Sequence, residues 1–241
     1  YSGSTSPEYG TFSRPLIVPE GEVGTLLTPP RFTLGSSLSG AGTLNLTVDY
    51  LRGDLTGDWS PFTGVINVTG LVANSEFRVG NTAGYAGATL NLFNNVVITR
   101  SGDPATIEIG ALNGTAGSRI GPGSKSSSGS GYRVGWKNEN CAFAGTILAD
   151  GVNTVTKVGT GNWTLSGANT YSGGTVVNGG TLTVNNSSGS GTGSGSVTVS
   201  NSVLWGNQSG ATVRDTAEIS DWGGRLQAAI SANQGPAFYS G

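Results

Sequence analysis

The sequence repeats one short pattern along most of its length, in which an aliphatic residue alternates with Thr, Asn, Glu or Ser before a cluster of Gly, Asn and Ser. Clear examples of the alternating segments are 43–48, 64–68, 89–92, 106–109, 181–184 and 196–199. Alternation with a period of two buries one face of a strand and leaves the other in water. The Gly, Asn and Ser clusters mark turns. The pattern predicts an all-β chain of many short strands.

Short sequence motifs, here called words, recur in the chain, and such repeats favour a solenoid over a sandwich or a barrel. An aromatic residue followed by Gly and a β-branched residue occurs at 62–66, 143–147 and 171–176, and the words at 77–80 and 132–135 share an aromatic-Arg-Val-Gly order. A strand closed by a residue with positive φ is one rung of a coil on which the next coil stacks. The 42 glycines suit such turns. We expect coils of a little over about 20 residues.

Composition divides the chain into three parts. Residues 1–34 contain five prolines and are predicted to form an N-terminal cap or extended segment, because proline does not fit a central strand. Residues 35–204 are predicted to form the coils, and 205–241, which bring charge, a C-terminal cap or tail with a short helix at 226–230. Segments 121–131 and 186–196 have the composition of flexible loops.

Several chemistries are excluded by what the sequence lacks. Without His there is no Ser-His-Asp relay and no His-ligated zinc. A net charge of −2 with three lysines gives no basic stripe for nucleic acid. The one cysteine, Cys141, is interpreted as a half-buried strand residue, with a reactive thiol as the alternative. The sequence predicts no cofactor and no metal ligand set, and it leaves calcium open without supporting it.

A cluster of acidic residues is the best candidate for catalysis or ligand binding. Asp54 and Asp58 flank a turn and, with Arg52, are the candidate catalytic residues, since paired carboxylates suit glycoside hydrolysis. Trp59 and Asp49 are the candidate ligand-binding residues, the indole as a surface for a sugar ring. The competing interpretation is that Asp54 and Asp58 cap turns. A weaker acidic pair is Asp103 with Glu108, near Arg100.

Glu108 is also predicted to form charge pairs with Arg78 or Arg133 on the solvent face, because both arginines occupy the same position of a repeated word. Such exposed pairs contribute little to stability. We therefore interpret both arginines as structural.

Residues 156–184 closely resemble the autotransporter-associated β-strand repeat, also called the passenger-associated transport repeat. The positions that carry the resemblance are Lys157, Gly159, Gly161, Trp163, Asn169, Tyr171, Gly173 and Gly174. The resemblance implies a right-handed, single-stranded parallel β-helix of pectin-lyase-like architecture, exported across the bacterial envelope, in which the repeat assists folding and export. Residues 54–150 resemble degenerate coils of such proteins more weakly.

Within this repeat the side chains are expected to have structural roles. Asn169 is predicted to satisfy the backbone of its own turn, and Tyr171 and Trp163 to pack between coils. The residues predicted to point inward are Leu165, Val176, Leu182 and Val184.

Two functions remain open at this point. The first is a structural or adhesive passenger segment of a secreted or surface-exposed bacterial protein. The alternative is a carbohydrate-active β-helix, a polysaccharide lyase or glycoside hydrolase with carboxylates on one face. The expected partner is a polysaccharide or a host or cell-surface glycan, with no nucleic acid and with membrane contact only through segments beyond this chain. We expect a processed piece of a longer protein that is monomeric or associates end to end.

Overall fold

The computed structural model shows strands stacked in parallel, coil upon coil, as a β-solenoid. It describes residues 11–28, 33–48, 50–51, 57–72, 75–79, 85–93, 97–100, 105–121, 129–149, 151–206, 219–221 and 225–228. All regular elements in these residues are strands. The predicted all-β solenoid is therefore confirmed.

Ten strands of the described chain form one continuous parallel ladder. They are β3 (Val23–Thr28), β6 (Thr43–Val48), β8 (Val65–Gly70), β10 (Tyr85–Phe93), β12 (Thr106–Gly114), β15 (Cys141–Phe143), β18 (Asn162–Leu165), β20 (Thr181–Val184), β22 (Val203–Gly206) and β24 (Arg225–Ala228). Partners are often 22 residues apart, as in the pairs Thr43 with Val65 and Cys141 with Trp163. This spacing agrees with the predicted coil length.

Two further ladders complete the coils. One begins on the first half of β12 and continues through β14 (Gly131–Val134), β17 (Thr154–Val158), β19 (Thr175–Asn178), β21 (Val197–Val199) and β23 (Ile219–Asp221). The other contains β7 (Tyr50–Leu51), β9 (Glu76–Val79), β11 (Val97–Arg100), β13 (Arg119–Ile120) and β16 (Thr146–Ile147). Near the N-terminus, β1 (Thr11–Phe12) pairs with β4 (Thr33–Leu34), and β2 (Leu16–Val18) with β5 (Leu38–Gly40).

The core is a column of aliphatic and aromatic side chains inside the coils. Along the long ladder, Leu44, Ile66, Leu90 and Leu112 occupy equivalent positions on successive coils, and each is buried. The alternation seen in the sequence places these residues inside and their polar neighbours outside. Burial of this apolar column is the main source of stability, at about 25 cal/mol per Å² removed from water.

A ladder of four asparagines runs along the outer face of the same strands. Asn67 donates to Asn45 at 2.9 Å, Asn91 to Asn67 at 2.8 Å, and Asn113 to Asn91 at 2.9 Å, each bond joining a side-chain nitrogen to a side-chain oxygen. The last oxygen, on Asn113, accepts the backbone N–H of Ala142 at 2.8 Å. The Thr-Leu-Asn-Leu sequence, which occurs at 43–46 and again at 89–92, thus supplies two of the asparagines of a side-chain hydrogen-bond ladder.

The ladders continue across both predicted boundaries. Strands β1, β2 and β3 already pair with the next coil within the predicted N-terminal segment 1–34, and β24 pairs with β22 beyond residue 204. The short helix predicted at 226–230 is wrong, because residues 225–228 form a strand. Pairing with the preceding coil outweighs the local helix preference of this segment.

Of the two predicted flexible loops, the structure describes all of 186–196 but little of 121–131. Segment 186–196 is packed rather than loose: Asn186 is buried and its amide donates to the carbonyls of Ser188 at 3.0 Å and Gly189 at 2.9 Å. Residues 122–128, most of the other predicted loop, lie outside the described residues. Within the described part of the chain, no helix is long and apolar enough to span a membrane.

Replacing Asn67 by Ala tests the asparagine ladder. Asn67 both donates to Asn45 and accepts from Asn91, so its loss removes two bonds that join three coils. We expect the free energy of unfolding to fall by about 1–2 kcal/mol, measured by urea denaturation. Thr69→Ala, on the same face of β8, is the matched control and should cost clearly less; equal costs would show that the ladder adds nothing.

Candidate functional site

The acidic turn proposed from the sequence does not form an open sugar-binding site around Trp59. This residue is fully buried; its indole N–H donates to the Ser36 carbonyl at 2.9 Å, and its ring packs against Phe77 and Tyr85 at centroid distances of 6.4 and 5.8 Å. The ring therefore presents no face to a ligand. Burial of a large aromatic surface in the core outweighs exposure at a turn.

Asp58 lies at this turn with its carboxylate in solvent. It accepts hydrogen bonds from the backbone N–H of Ser60 at 2.9 Å and from the Ser60 hydroxyl. These bonds, the hydroxyl bond foremost, lower the pKa of the Asp58 carboxyl. The geometry is that of a turn cap. Asp49, Arg52, Asp54 and Asp103 lie outside the described residues, as does the side chain of Arg100.

Lys157 is buried between two coils of the repeat segment. Its ammonium group donates to the carbonyls of Val158 at 2.6 Å, Gly159 at 3.0 Å and Gly179 at 3.2 Å. Gly179 belongs to the following coil, so the ammonium ties two successive turns together. Backbone carbonyls that would otherwise lack a donor at this corner are satisfied by one side chain.

Burial governs the ionisation of Lys157 and of its neighbour Cys141. Removal from water lowers the pKa of Lys157 to about 8, an effect that the charge of Cys141 partly opposes. Burial raises the pKa of the Cys141 thiol. Cys141 is thus a buried strand residue, in line with the structural interpretation of the sequence.

Asn169 joins three coils, which differs from the predicted bond within its own turn. Its side-chain oxygen accepts the backbone N–H of Ile147 at 2.8 Å, and its amide donates to the Gly191 carbonyl at 2.6 Å. Ile147 and Gly191 are each 22 residues away, one in the coil before and one in the coil after. The side chain is buried, so both bonds are shielded from water.

The two aromatic residues of the repeat are buried, as predicted, and each makes one polar contact. Trp163 pairs in register with Cys141 in the preceding coil, and its indole N–H donates to the carbonyl of Leu112, two coils before its own, at 3.2 Å. The small Cys141 side chain leaves room for this reach. The Tyr171 hydroxyl is hydrogen-bonded to that of Thr175 at 2.6 Å.

The repeat glycines lie where the backbone of one coil nearly touches the next. A methyl group on Gly161 would come within 2.3 Å of the Glu139 carbonyl oxygen, and one on Gly173 within 2.4 Å of that of Asn153. Gly174 instead adopts a φ of +91°.

The register of β19 against β17 determines which residues of β19 face the core. Leu165, Leu182 and Val184 are buried as predicted, but Val176 is 38% exposed. Thr175 and Val177 fill the core in its place. The expected inward position of Val176 is therefore wrong, because Val176 pairs with Thr156 on the outer face of the ladder, and Thr175 and Val177 pair with the buried Val155 and Lys157.

A charged and aromatic cluster lies on the outer face of β12 and β14. Arg133 pairs with Glu108 at 2.9 Å, which confirms one of the predicted charge pairs. The Glu108 carboxylate also accepts the indole N–H of Trp136, and the Arg133 guanidinium lies 5.0 Å from the centre of the Trp136 ring. Arg78 differs from the prediction: it is buried and pairs with Glu76 at 2.8 Å.

Trp136 was not singled out by the sequence analysis. It is 44% exposed although tryptophan is the largest residue type, and large exposed aromatic rings often mark contact surfaces. The sequence feature that could have marked Trp136 is its position directly after the Tyr132–Gly135 word. The corresponding word, which ends at Gly80, is followed by Asn81 instead of a tryptophan.

Comparison with known families found a match for one segment of the chain. Residues 155–184 match the passenger-associated-transport-repeat family model, which confirms the resemblance over 30 of the 241 residues. A search of the curated proteins gave no match. The matched segment contains Lys157, Trp163, Asn169 and Tyr171, whose buried polar contacts are described above.

In the described part of the chain, no group of three or more His, Cys, Asp or Glu side chains is arranged to hold a metal ion. The arrangement of the repeat coil is instead suited to holding coils together. Its contacts are made by neutral amides, hydroxyls and one buried ammonium.

Lys157 should make stability depend on pH. Its folded-state pKa of about 8 lies below the unfolded value, so between these values the unfolded chain binds more protons and stability rises with pH. Relative to Lys157→Met, the native chain should gain about 2 kcal/mol of unfolding free energy between about pH 7.5 and about pH 9.5. Urea denaturation at each pH measures this difference, with Cys141→Ala present in both proteins because the titrations of the thiol and the ammonium are coupled. Parallel curves for the two proteins would contradict the assignment.

Proposed function

We propose that this chain is a structural segment of the passenger of an exported bacterial protein, located outside the cell or on its surface. The β-solenoid fold and the passenger-associated repeat at 155–184 both fit such a passenger. In this proposal the stacked coils form a rigid stalk, and the repeat coil helps the passenger to fold as it is exported.

The observation that carries the proposal is the set of bonds made by Asn169. One buried side chain supplies an acceptor to the preceding coil and a donor to the following coil. A partner on only one side would leave a buried polar group unsatisfied, at a cost of about 1–3 kcal/mol. The repeat coil is therefore stable when both neighbours are in place, and it favours their docking.

Solenoids fold by addition of neighbouring repeats to a formed nucleus. A coil that offers bonds on both sides is a suitable nucleus, because Asn169 presents an acceptor to one neighbour and a donor to the other as each coil docks. Lys157 supports the same role at another corner through its bond to Gly179. The three carbonyls it satisfies come from two coils.

The catalytic alternative has little support at Asp58 and Trp59, the two residues of its proposed site that the structure describes. Trp59 is buried and the Asp58 carboxylate is engaged by Ser60. The stalk role accordingly remains the better account of this coil.

Export of the parent protein tests the proposal. In the bacterium that produces it, the gene is changed to encode Asn169→Ala, and the fraction of protein accessible to protease on intact cells or in the medium is measured. We expect that fraction to fall several-fold, because loss of both Asn169 bonds destabilises the repeat coil by about 2–4 kcal/mol.

The matched control is Asn178→Ala, an exposed asparagine of the same segment, which should leave export unchanged. Equal export of both variants would overturn the folding role. A wild-type protein found only inside the cell would overturn the proposed location. Depolymerisation of a polysaccharide by the purified chain would favour the enzyme over the stalk.

A further inference from the structure

We infer that the outer face of β12, β14 and β17 binds a short neutral oligosaccharide, with Trp136 as its stacking surface. This binding role goes beyond the stalk function and does not depend on it. The inference rests on three features that lie next to one another along β14.

The first feature is a shallow surface depression lined by threonine hydroxyl groups, which we call the dent. Thr106, Gly131 and Thr154 occupy equivalent positions on three successive strands, so a residue without a side chain lies between two threonines. A methyl group on Gly131 would lie 2.9 Å from Oγ1 of Thr106 and 3.2 Å from Oγ1 of Thr154. The dent is therefore open only because residue 131 is glycine.

The second feature is the ion pair of Glu108 and Arg133, two residues along the strands from the dent. Side chains two residues apart in a strand point to the same face. The pair thus lies beside the dent, and it offers both an acceptor and a donor to a ligand. Hydroxyl groups, which donate and accept, are suited to such a pair.

The third feature is the exposed ring of Trp136. The Arg133 guanidinium lies over the ring at 5.0 Å, and 44% of the residue is still exposed. The exposed part of the ring offers apolar surface against which a sugar ring can pack. Stacking on an aromatic ring combined with a few directed hydrogen bonds is a common way to fix a small ligand.

The charges of this face point to a neutral ligand. Glu108 is paired with Arg133, and beside Trp136 the Lys137 ammonium is paired with Glu139 at 3.1 Å. No excess of either sign is left among these four residues. Gly131 and Arg133 are about 7 Å apart along β14, and the Arg133 guanidinium lies over the Trp136 ring, so a ligand that contacts both the dent and the ring is longer than one sugar ring.

The test is binding of the purified chain to an array of short linear neutral oligosaccharides, followed by calorimetric titration of the tightest ligand. We expect saturable binding to at least one of them. Trp136→Ala should weaken it about tenfold or more, through loss of ring stacking. Gly131→Ala, which fills the dent, should weaken it about threefold or more.

Trp205→Ala is the matched control, because Trp205 is also exposed, at 40%, but lies on β22 of the long ladder. It should leave the affinity unchanged, and circular dichroism should show that all three variants are folded. The inference is overturned if no neutral oligosaccharide binds, if Trp136→Ala binds as tightly as the native chain, or if Trp205→Ala weakens binding equally. Binding confined to acidic oligosaccharides would overturn the charge argument and with it the proposed ligand class.

Discussion

Parallel backbone pairing between successive coils is the interaction on which the rest of this structure depends. Within the long ladder, each strand between β3 and β24 pairs with one strand in the coil before it and one in the coil after it. Successive corners must therefore lie directly on one another. At one corner, Gly135, Gly159 and Gly179 all have positive φ, and a methyl group on Gly159 would come within 2.1 Å of the Gly135 carbonyl oxygen. The high glycine content follows from this close stacking.

Two kinds of polar contact between coils supplement the backbone pairing. Outside the coils, the asparagine ladder from Asn45 to Asn113 repeats one bond with the spacing of the coils. Inside the repeat segment, Asn169 and Lys157 make buried bonds to carbonyl and amide groups of neighbouring coils. Buried bonds of this kind are less exposed to competition from water. The repeat segment therefore has buried side-chain bonds to the coils on both sides of it.

The sequence predicts the strands and their stacking well because both produce patterns that are visible within short stretches of the sequence. Alternation with a period of two predicted β6, β8 and β20, and repeated words indicated coils. The positions that sequence analysis missed depend on contacts between coils. The partners of Asn169 are 22 residues away on each side, and nothing local to the turn reveals them.

The candidate site shows the same limit. Trp59 follows a turn between acidic residues, which suggested exposure, but the neighbouring coils bring Phe77 and Tyr85 against it. The one local feature of Trp136 is its position directly after the Tyr132–Gly135 word, and its exposure follows from its place in the turn after β14. The outward position of Val176 follows from its register with Thr156 in the preceding coil, which the sequence of β19 alone does not reveal.

Residue-resolved hydrogen exchange of the native chain tests most directly whether the repeat coil is the stability centre. We predict that the slowest amides lie in the coils joined by Asn169 and Lys157, including the Ile147 N–H that bonds to Asn169. Protection should decrease from these coils toward both ends of the solenoid. Slowest exchange in the coils of residues 43–92, or equal protection throughout, would contradict it.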